Sequence, residues 1–339
     1  MTKYGGGPAG PQPGVETGQE PIWGIRGTGI EARAATEDTL VFYVNHAHAA
    51  ASDDNYGTDM NAPLQHIQEL IDRETGTSAT EPELQDGSII YVSGDVAESI
   101  VTPTVGTMPT DIHLIGVGSR FRPTWSSGAA ASPCLDLRTT GWTIDGFEFE
   151  CPTASAGIIL RDTIPVASDS AYKTTIQNCT FDGLWGGLYG IDFSGAPHRV
   201  CIYNNWFVEM HQAANDAACI FVSATPNASA YQCEIIGNRF MDSDNYVMGN
   251  AAGVGFNVSL FKDNVFEEGV LLIPALYLDL RGGTRGYNIV TGNFFGGAYT
   301  NVGGYFANPA TPNSCWIGNT TDPTPGTVAD NGLTVAVPA

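Results

Sequence analysis

Positive charge is what this chain has least of. It carries three lysines, Lys3, Lys173 and Lys262, and 14 basic residues in all against 36 acidic ones, for a formal net charge of −22. A surface of that sign repels phosphate backbones and argues against nucleic acid as a partner. Charge of either sign is sparse, at 15% of residues. No apolar run approaches a membrane span, so no membrane role is expected. Residues 1–14 are polar and rich in Gly and Pro, without the apolar stretch of a secretory signal. A route to the cell exterior would then need lysis or another export path. The seven cysteines, Cys134, Cys151, Cys179, Cys201, Cys219, Cys233 and Cys315, form no C-x-x-C pair and are odd in number. They read as buried free thiols rather than a disulfide framework or zinc site. Helical spacing is also scarce. Only residues 63–74 show it, with Leu64, Ile67, Leu70 and Ile71 along one stripe.

What the chain has instead is glycine, 41 residues of it, and a recurring pattern. Seven segments align on an aromatic anchor: TIDGFEF to Phe149, TIQNCTF to Phe181, CIYNNWF to Phe207, EIIGNRF to Phe240, LFKDNVF to Phe266, IVTGNFF to Phe295, and CWIGNTT, where Thr321 replaces the aromatic. Five residues before each anchor stands a large apolar side chain: Ile144, Ile176, Ile202, Ile235, Phe261, Val290 or Trp316. Two before it the column reads Phe147, Cys179, then Asn205, Asn238, Asn264, Asn293 and Asn319. Three before it come Gly146, Asn178, Asn204, Gly237, Asp263, Gly292 and Gly318, residues that tolerate positive φ or bond their own backbone.

The apolar position advances by 26 to 33 residues per repeat, with loops taking up the difference. Short apolar runs broken by Gly and Asn are strand-like, not helical. A single such coil cannot bury its inward face. Stacking coils about 4.8 Å apart pairs each backbone with the next and aligns like residues into ladders. The sequence thus predicts an all-β, right-handed parallel β-helix over residues 101–321. The Ile/Val/Phe column is its interior ladder and the Asn column a ladder of side-chain amides. The segments 88–95 and 111–118 read as the first coils, and the helix at 63–74 as a cap over the exposed core end, so that 37–100 forms the cap and first coils.

Several residue groups invite a chemical reading. Two residues beyond the anchor, successive coils carry Glu209, Asp242 and Glu268; one beyond it lie Glu150, Asp182 and Glu267. On stacked rungs, adjacent carboxylates fall about 5 Å apart and alternate ones about 10 Å apart, bracketing glycosidase separations. Glu209, Asp242 and Glu268 are thus candidates for catalysis, although projection into water is the simpler expectation. His211 lies near Glu209 and Asp216 on a probable loop. His46 and His48 alternate and could leave one face of a strand, without an evident third ligand for zinc. The loop 52–59 offers Asp53, Asp54 and Asp59 as weak calcium candidates, but lacks EF-hand spacing; a self-bonded Asx turn is the default. Trp185, Tyr189, Tyr246, Tyr299 and Tyr305 sit in Gly-rich segments and are expected to be exposed.

The stretch from Tyr43 and Val44 through Asp53, Asn55, Gly57, Pro63, Ile67 and Ile71 to Asp86, Gly87, Tyr91, Val92 and Gly94 resembles the opening segment of pectate-lyase-like right-handed β-helix proteins. There a strand leads to an Asp/Asn/Gly loop, a Pro-led helix and an Asp-Gly turn into the first coil. The resemblance covers residues 40–321 and implies fold more than chemistry. The family holds polysaccharide lyases and hydrolases, and also non-catalytic spikes, fibres and decoration proteins of tailed viruses. Gly-His-Gly, a paired Asp-Asp and a basic residue beside the carboxylate column are missing. Residues 1–36 look like an extended anchoring arm, and 322–339 like a tail ending in a strand-like LTVAV. The resemblance then implies a structural virion-surface protein assembled in a host cytoplasm: a homotrimer anchored to other virion proteins through 1–36, with surface glycans as a further contact. The alternative is a polysaccharide-degrading enzyme.

Overall fold

The structure is a computed structural model, and the described residues are 39–76, 82–103, 108–118, 121–162, 171–212, 217–223, 229–249, 255–267, 276–280, 287–296, 306–307 and 315–321. The arm at 1–36 and the tail at 322–339 lie outside them. The chain winds as a parallel β-solenoid. Each coil contributes one strand to each of three sheets, in fixed order. Sheet I has ten strands, from Val41–Val44 to Cys315–Ile317; sheet II has nine, from Val96–Ala97 to Thr320–Thr321; sheet III has eight, from Ile100–Val101 to Phe306–Ala307. Every pairing between successive coils is parallel. A two-stranded pair, Ser229–Tyr231 with Gly255–Asn257, lies outside these sheets.

The apolar ladder is in register. Ile144, Ile176, Ile202, Ile235, Phe261, Val290 and Trp316 are consecutive partners along sheet I. Upstream the column continues through Leu114 and Ile90 to Phe42. The 88–95 and 111–118 segments are therefore coils as expected, and Val41–Val44 adds an earlier rung to sheet I. Period-two alternation explains the burial: in Thr175–Gln177, Cys201–Tyr203 and Glu234–Ile236 the central residue is buried while its neighbours are part-exposed, and in Thr143–Asp145 Asp145 is buried beside Ile144. The ladder runs unbroken across residue 100.

The anchors stack inside sheet II. Phe149, Phe181, Phe207, Phe240, Phe266 and Phe295 lie with centroids 4.8–5.0 Å apart and planes within 10° of parallel. That spacing is the rung spacing itself, so the offset ring stack comes with the backbone ladder.

Beside the anchors runs the amide ladder. Asn238, Asn264, Asn293 and Asn319 each accept at Oδ1 from the backbone N–H and the side-chain Nδ2 of the Asn one coil earlier, a chain that begins at Asn205. Nδ2 of the same residues also donates to the carbonyls of Ile176, Ile202, Ile235, Phe261 and Val290. Cys179, which interrupts the Asn column, still donates its N–H to Asn205 Oδ1 at 2.8 Å. The turn column before it adopts positive φ at all seven positions, from Gly146 to Gly318.

The helix α1 is shorter than the sequence suggests. It spans Ile67–Glu74, not 63–74. Leu64 instead bridges Val44, its N–H bonded to Tyr43 O at 2.9 Å, so the chain is still extended there. Leu64, Ile67, Leu70 and Ile71 are all buried in the core cluster. The Glu98 carboxylate caps the helix from the first coil, accepting from the N–H groups of Ile67 and Gln68 at 2.8 and 3.2 Å. Arg73 is fully buried, with its guanidinium bonded to Glu69 and to the carbonyls of Asn55, Tyr56 and Pro82.

Candidate functional site

The carboxylates gather at the corner where sheet II gives way to sheet III. Strand Thr180–Gly187 pairs with Trp206–Met210 in register as far as Asp182 and Val208, and then slips, so that Gly187 meets Met210. The surplus residues bulge outward. Leu184 and Trp185 both take positive φ, 49° and 60°, and their side chains are 57% and 38% exposed. A non-glycine pair held in that region is strained and persists only because its surroundings fix it. Gly183 makes the bulge possible: a Cβ there would stand 2.2 Å from Glu209 O.

Around the bulge two acidic side chains act on a third. Glu209 lies between Asp182 on the coil before and Asp242 on the coil after, and Glu209 and Asp242 both have positive φ. Burial pushes the Glu209 carboxyl above its ordinary value, and the charges of Asp182 and Asp242 push the same way; a hydrogen bond from the Trp185 side chain opposes them. Asp182 Oδ1 accepts from Leu184 N–H at 2.8 Å and so closes the bulge.

A second row lies beneath. Asp244 is buried and holds His211 Nδ1 at 2.7 Å and the N–H of Gln212 at 2.8 Å. Gln212 Nε2 donates to Thr153 O and Gly186 O, tying the segment back to the bulge. The Trp185 ring stands edge-on to His211, with centroids 6.3 Å apart.

Of the sequence candidates, the structure brings Glu209 and Asp242 to one corner, while Glu268 lies outside the described residues. Asp182, counted by sequence in a different column, joins them because the bulge alters the offset. The partner of His211 is Asp244, not Glu209; Asp216 lies outside the described residues. Trp185 was legible as an exposed aromatic, but not as a neighbour of Glu209. Tyr246 corrects that same expectation: it is fully buried, stacked against Tyr277 at 5.1 Å, since its strand faces it into the core. Tyr189 is part-buried and stacked on Phe221 at 4.3 Å; Tyr299 and Tyr305 lie outside the described residues.

The loop 52–59 is internally bonded. Asp53 accepts from His66 N–H at 2.9 Å and from His66 Nδ1 at 2.6 Å; Asp59 Oδ1 accepts from the backbone and side chain of Asn61. Asp54 donates its N–H to Ser52 Oγ at 3.2 Å. His46 and His48 do not share a strand face as the sequence suggests, because the strand ends at Val44 and both lie in the following turns. His46 meets Gln65 O at 3.1 Å and packs edge-on to His66.

A second surface feature follows the corner between sheets III and I. Two residues before every sheet I strand from Ile89–Ser93 to Ile289–Thr291, one residue takes positive φ: Gly87, Asp111, Gly141, Lys173, Arg199, Gln232, Val258 and Tyr287. Its later members project from the rod, and Arg199, Gln232, Val258, Tyr287, Leu260 and Ile289 help to line an open groove. The repeat alignment did not extend to this column, whose residue types differ from coil to coil. A scan against protein-family models returns no match for this chain, and neither does a search of curated proteins.

Proposed function

We propose that this chain is a structural component of a tailed-virus particle surface: a capsid decoration protein, head fibre or tail spike that works as a rigid homotrimeric rod. Residues 1–36 would anchor it to other virion proteins. The observation that supports this best is the continuity of the rod. One apolar column, one ring stack and one amide ladder run from coil to coil, and that continuity suits a part whose task is mechanical. Anchoring an extended arm orders it at a cost in chain entropy, so several copies bound together hold far better than one. The family resemblance, with its non-catalytic spikes and fibres, points the same way.

Deleting residues 1–36 should leave a folded rod, with unchanged circular dichroism and melting, that no longer sediments with particles. A truncated rod that still sediments with them removes the arm from the anchoring role.

The Trp185 corner favours a second reading, a polysaccharide-degrading enzyme. A carboxyl raised by burial and by two neighbouring carboxylates is the kind of group that serves as a general acid, and an exposed Trp beside it offers a face for a sugar ring. Incubation with host capsular or cell-wall polysaccharide separates the two. Reducing-end release that is lost in Glu209→Gln and Asp182→Asn supports the enzyme; no release from any host glycan supports the structural role.

A further inference from the structure

Two ridges of the rod carry opposite charge at the same height. Lys173 and Arg199 project from neighbouring coils at the corner between sheets III and I, both at positive φ, 58° and 54°. Both cations lie over the ring of Tyr172, with Nζ of Lys173 5.3 Å and the Arg199 guanidinium carbon 5.5 Å from its centroid. Arg199 Nε donates to Gln232 Oε1 at 3.2 Å. Among the described residues neither cation has a carboxylate within ion-pair distance, and nor has Arg122, which bonds Thr180 Oγ1 instead, whereas Arg73, Arg138, Arg161, Arg239 and Lys262 each have one. In a chain of net charge −22, two such cations side by side stand out.

The opposite ridge is the bulge corner. Asp182 belongs to the coil of Lys173, through strands Thr175–Gln177 and Thr180–Gly187; Glu209 belongs to the coil of Arg199, through Cys201–Tyr203 and Trp206–Met210. Neither acid forms an ion pair among the described residues. Leu184 and Trp185 stand exposed beside them, as Tyr172 stands beside the cations. The two ridges border the two edges of sheet III and cannot meet within one rod.

We propose that these ridges are the two halves of one interface between copies of this chain, with Lys173 and Arg199 of one copy against Asp182 and Glu209 of the next. This rests on the reading of the chain as a self-associating surface rod. Rotation about an axis parallel to the rod keeps every residue at its own height. In a ring of side-by-side rods, coil therefore meets coil, and two cations spaced by one rung, about 4.8 Å, face two acids with the same spacing. The contact is heterologous: each copy offers a cationic ridge to one neighbour and an acidic ridge to the other, and the ring closes without an unpaired ridge. It also supplies counter-charge to Glu209, which Asp182 and Asp242 on the adjacent coils repel. Further along the cationic ridge, Val258, Tyr287 and Ile289 are exposed and apolar, and a neighbouring rod would cover them.

The test is the mass of the full chain by sedimentation equilibrium, for the wild type and two charge-reversed variants. Lys173→Glu with Arg199→Glu, and separately Asp182→Lys with Glu209→Lys, are each expected to weaken self-association about tenfold or more, as close charge pairs at protein interfaces do. A chain carrying all four substitutions should associate again, because its two ridges have exchanged sign and still match from copy to copy; recovery also shows that both pairs of substitutions fold. A wild type that associates but is insensitive to either reversal overturns the paired ridges and leaves the surface-rod reading standing. A monomeric wild type overturns them too, and particle attachment then decides the rod reading alone. Reversed variants that weaken separately but do not recover when all four substitutions are combined in one chain, while melting like the wild type, likewise overturn the pairing.

Discussion

Asn238 shows how much one side chain can carry in a repeating structure. Its Oδ1 accepts from Asn205 N and Nδ2 at 2.9 and 3.0 Å, and its Nδ2 donates to Ile202 O and Asn264 Oδ1 at 2.9 and 3.1 Å. All of these atoms are out of water, so removing the amide orphans donors and acceptors on both adjacent coils. At about 1–3 kcal/mol for each orphaned group, Asn238→Ala should lose several kcal/mol, readable as a lower denaturant midpoint. Exchanging the nearby Asn204 for glycine, at φ 54° and exposed, should change little, because glycine takes that backbone region at no steric cost. Asp192 makes the opposite case. Its Oδ1 is buried without a hydrogen-bond partner, and burial raises the carboxyl to about 6, with Ser223 and Arg161 offsetting this only in part. The folded value lies above the unfolded one, so the contribution to stability is present in full below about pH 4 and is lost as pH rises through 6. Asp192→Asn should therefore stabilise the rod by roughly 1–3 kcal/mol at pH 7 and leave it unchanged near pH 3.5. Equal gains at both pH values would locate the effect elsewhere.

Among the elements, the ring stack and the helix α1 divide the labour between span and end. Phe207 sits between Phe181 and Phe240 at 4.8 and 5.0 Å, so Phe207→Ala opens a cavity in the middle of the stack. A loss of about 3–5 kcal/mol is expected, against little change for Phe207→Tyr only if its hydroxyl finds a partner. Thermal unfolding of the two variants reads this directly. The helix packs its apolar stripe into the core at the end where Val41–Val44 supplies an earlier rung to sheet I alone. Its apolar stripe is legible from the spacing of Ile67, Leu70 and Ile71. Its start is not, because the two bonds that keep Leu64 extended come from the strand at Val41–Val44, and the cap comes from Glu98, 31 residues downstream of Ile67. Local spacing carries no trace of either partner.

For the whole molecule, the sheet pairings join each coil only to its neighbours, so stability is close to a sum of coil and interface contributions and opening starts at the ends. Amide hydrogen exchange should be slowest in the central rungs, residues 175–222, and fastest at Cys315–Ile317 and Thr320–Thr321. Uniform exchange along the rod would instead mean a single all-or-none unit. Thiol reactivity maps the same gradient from inside to outside. Cys315 is exposed and should react with a thiol reagent in the native state, while Cys134, Cys151, Cys179, Cys219 and Cys233 are buried, with desolvation raising each thiol, and should react only on unfolding.

The sequence by itself determined the solenoid, because register in a stacked fold is a repeat of residue type. An inward apolar residue, an amide and a left-handed turn must recur once per coil, and the columns at Ile202, Asn205 and Asn204 say so without coordinates. It also determined that acids recur beyond the anchor. Only the tertiary structure decided which of them meet. The slip after Asp182 brings a residue from one sequence column beside Glu209 from another, turns Trp185 outward and gives His211 to Asp244. The column at Lys173 and Arg199 was hidden for a related reason: its positions share a backbone conformation, not a side chain, and conformation leaves no residue type to align. What repeats along the chain can be read from it; what the corners of the rod bring together depends on loop lengths and bulges that obey no period.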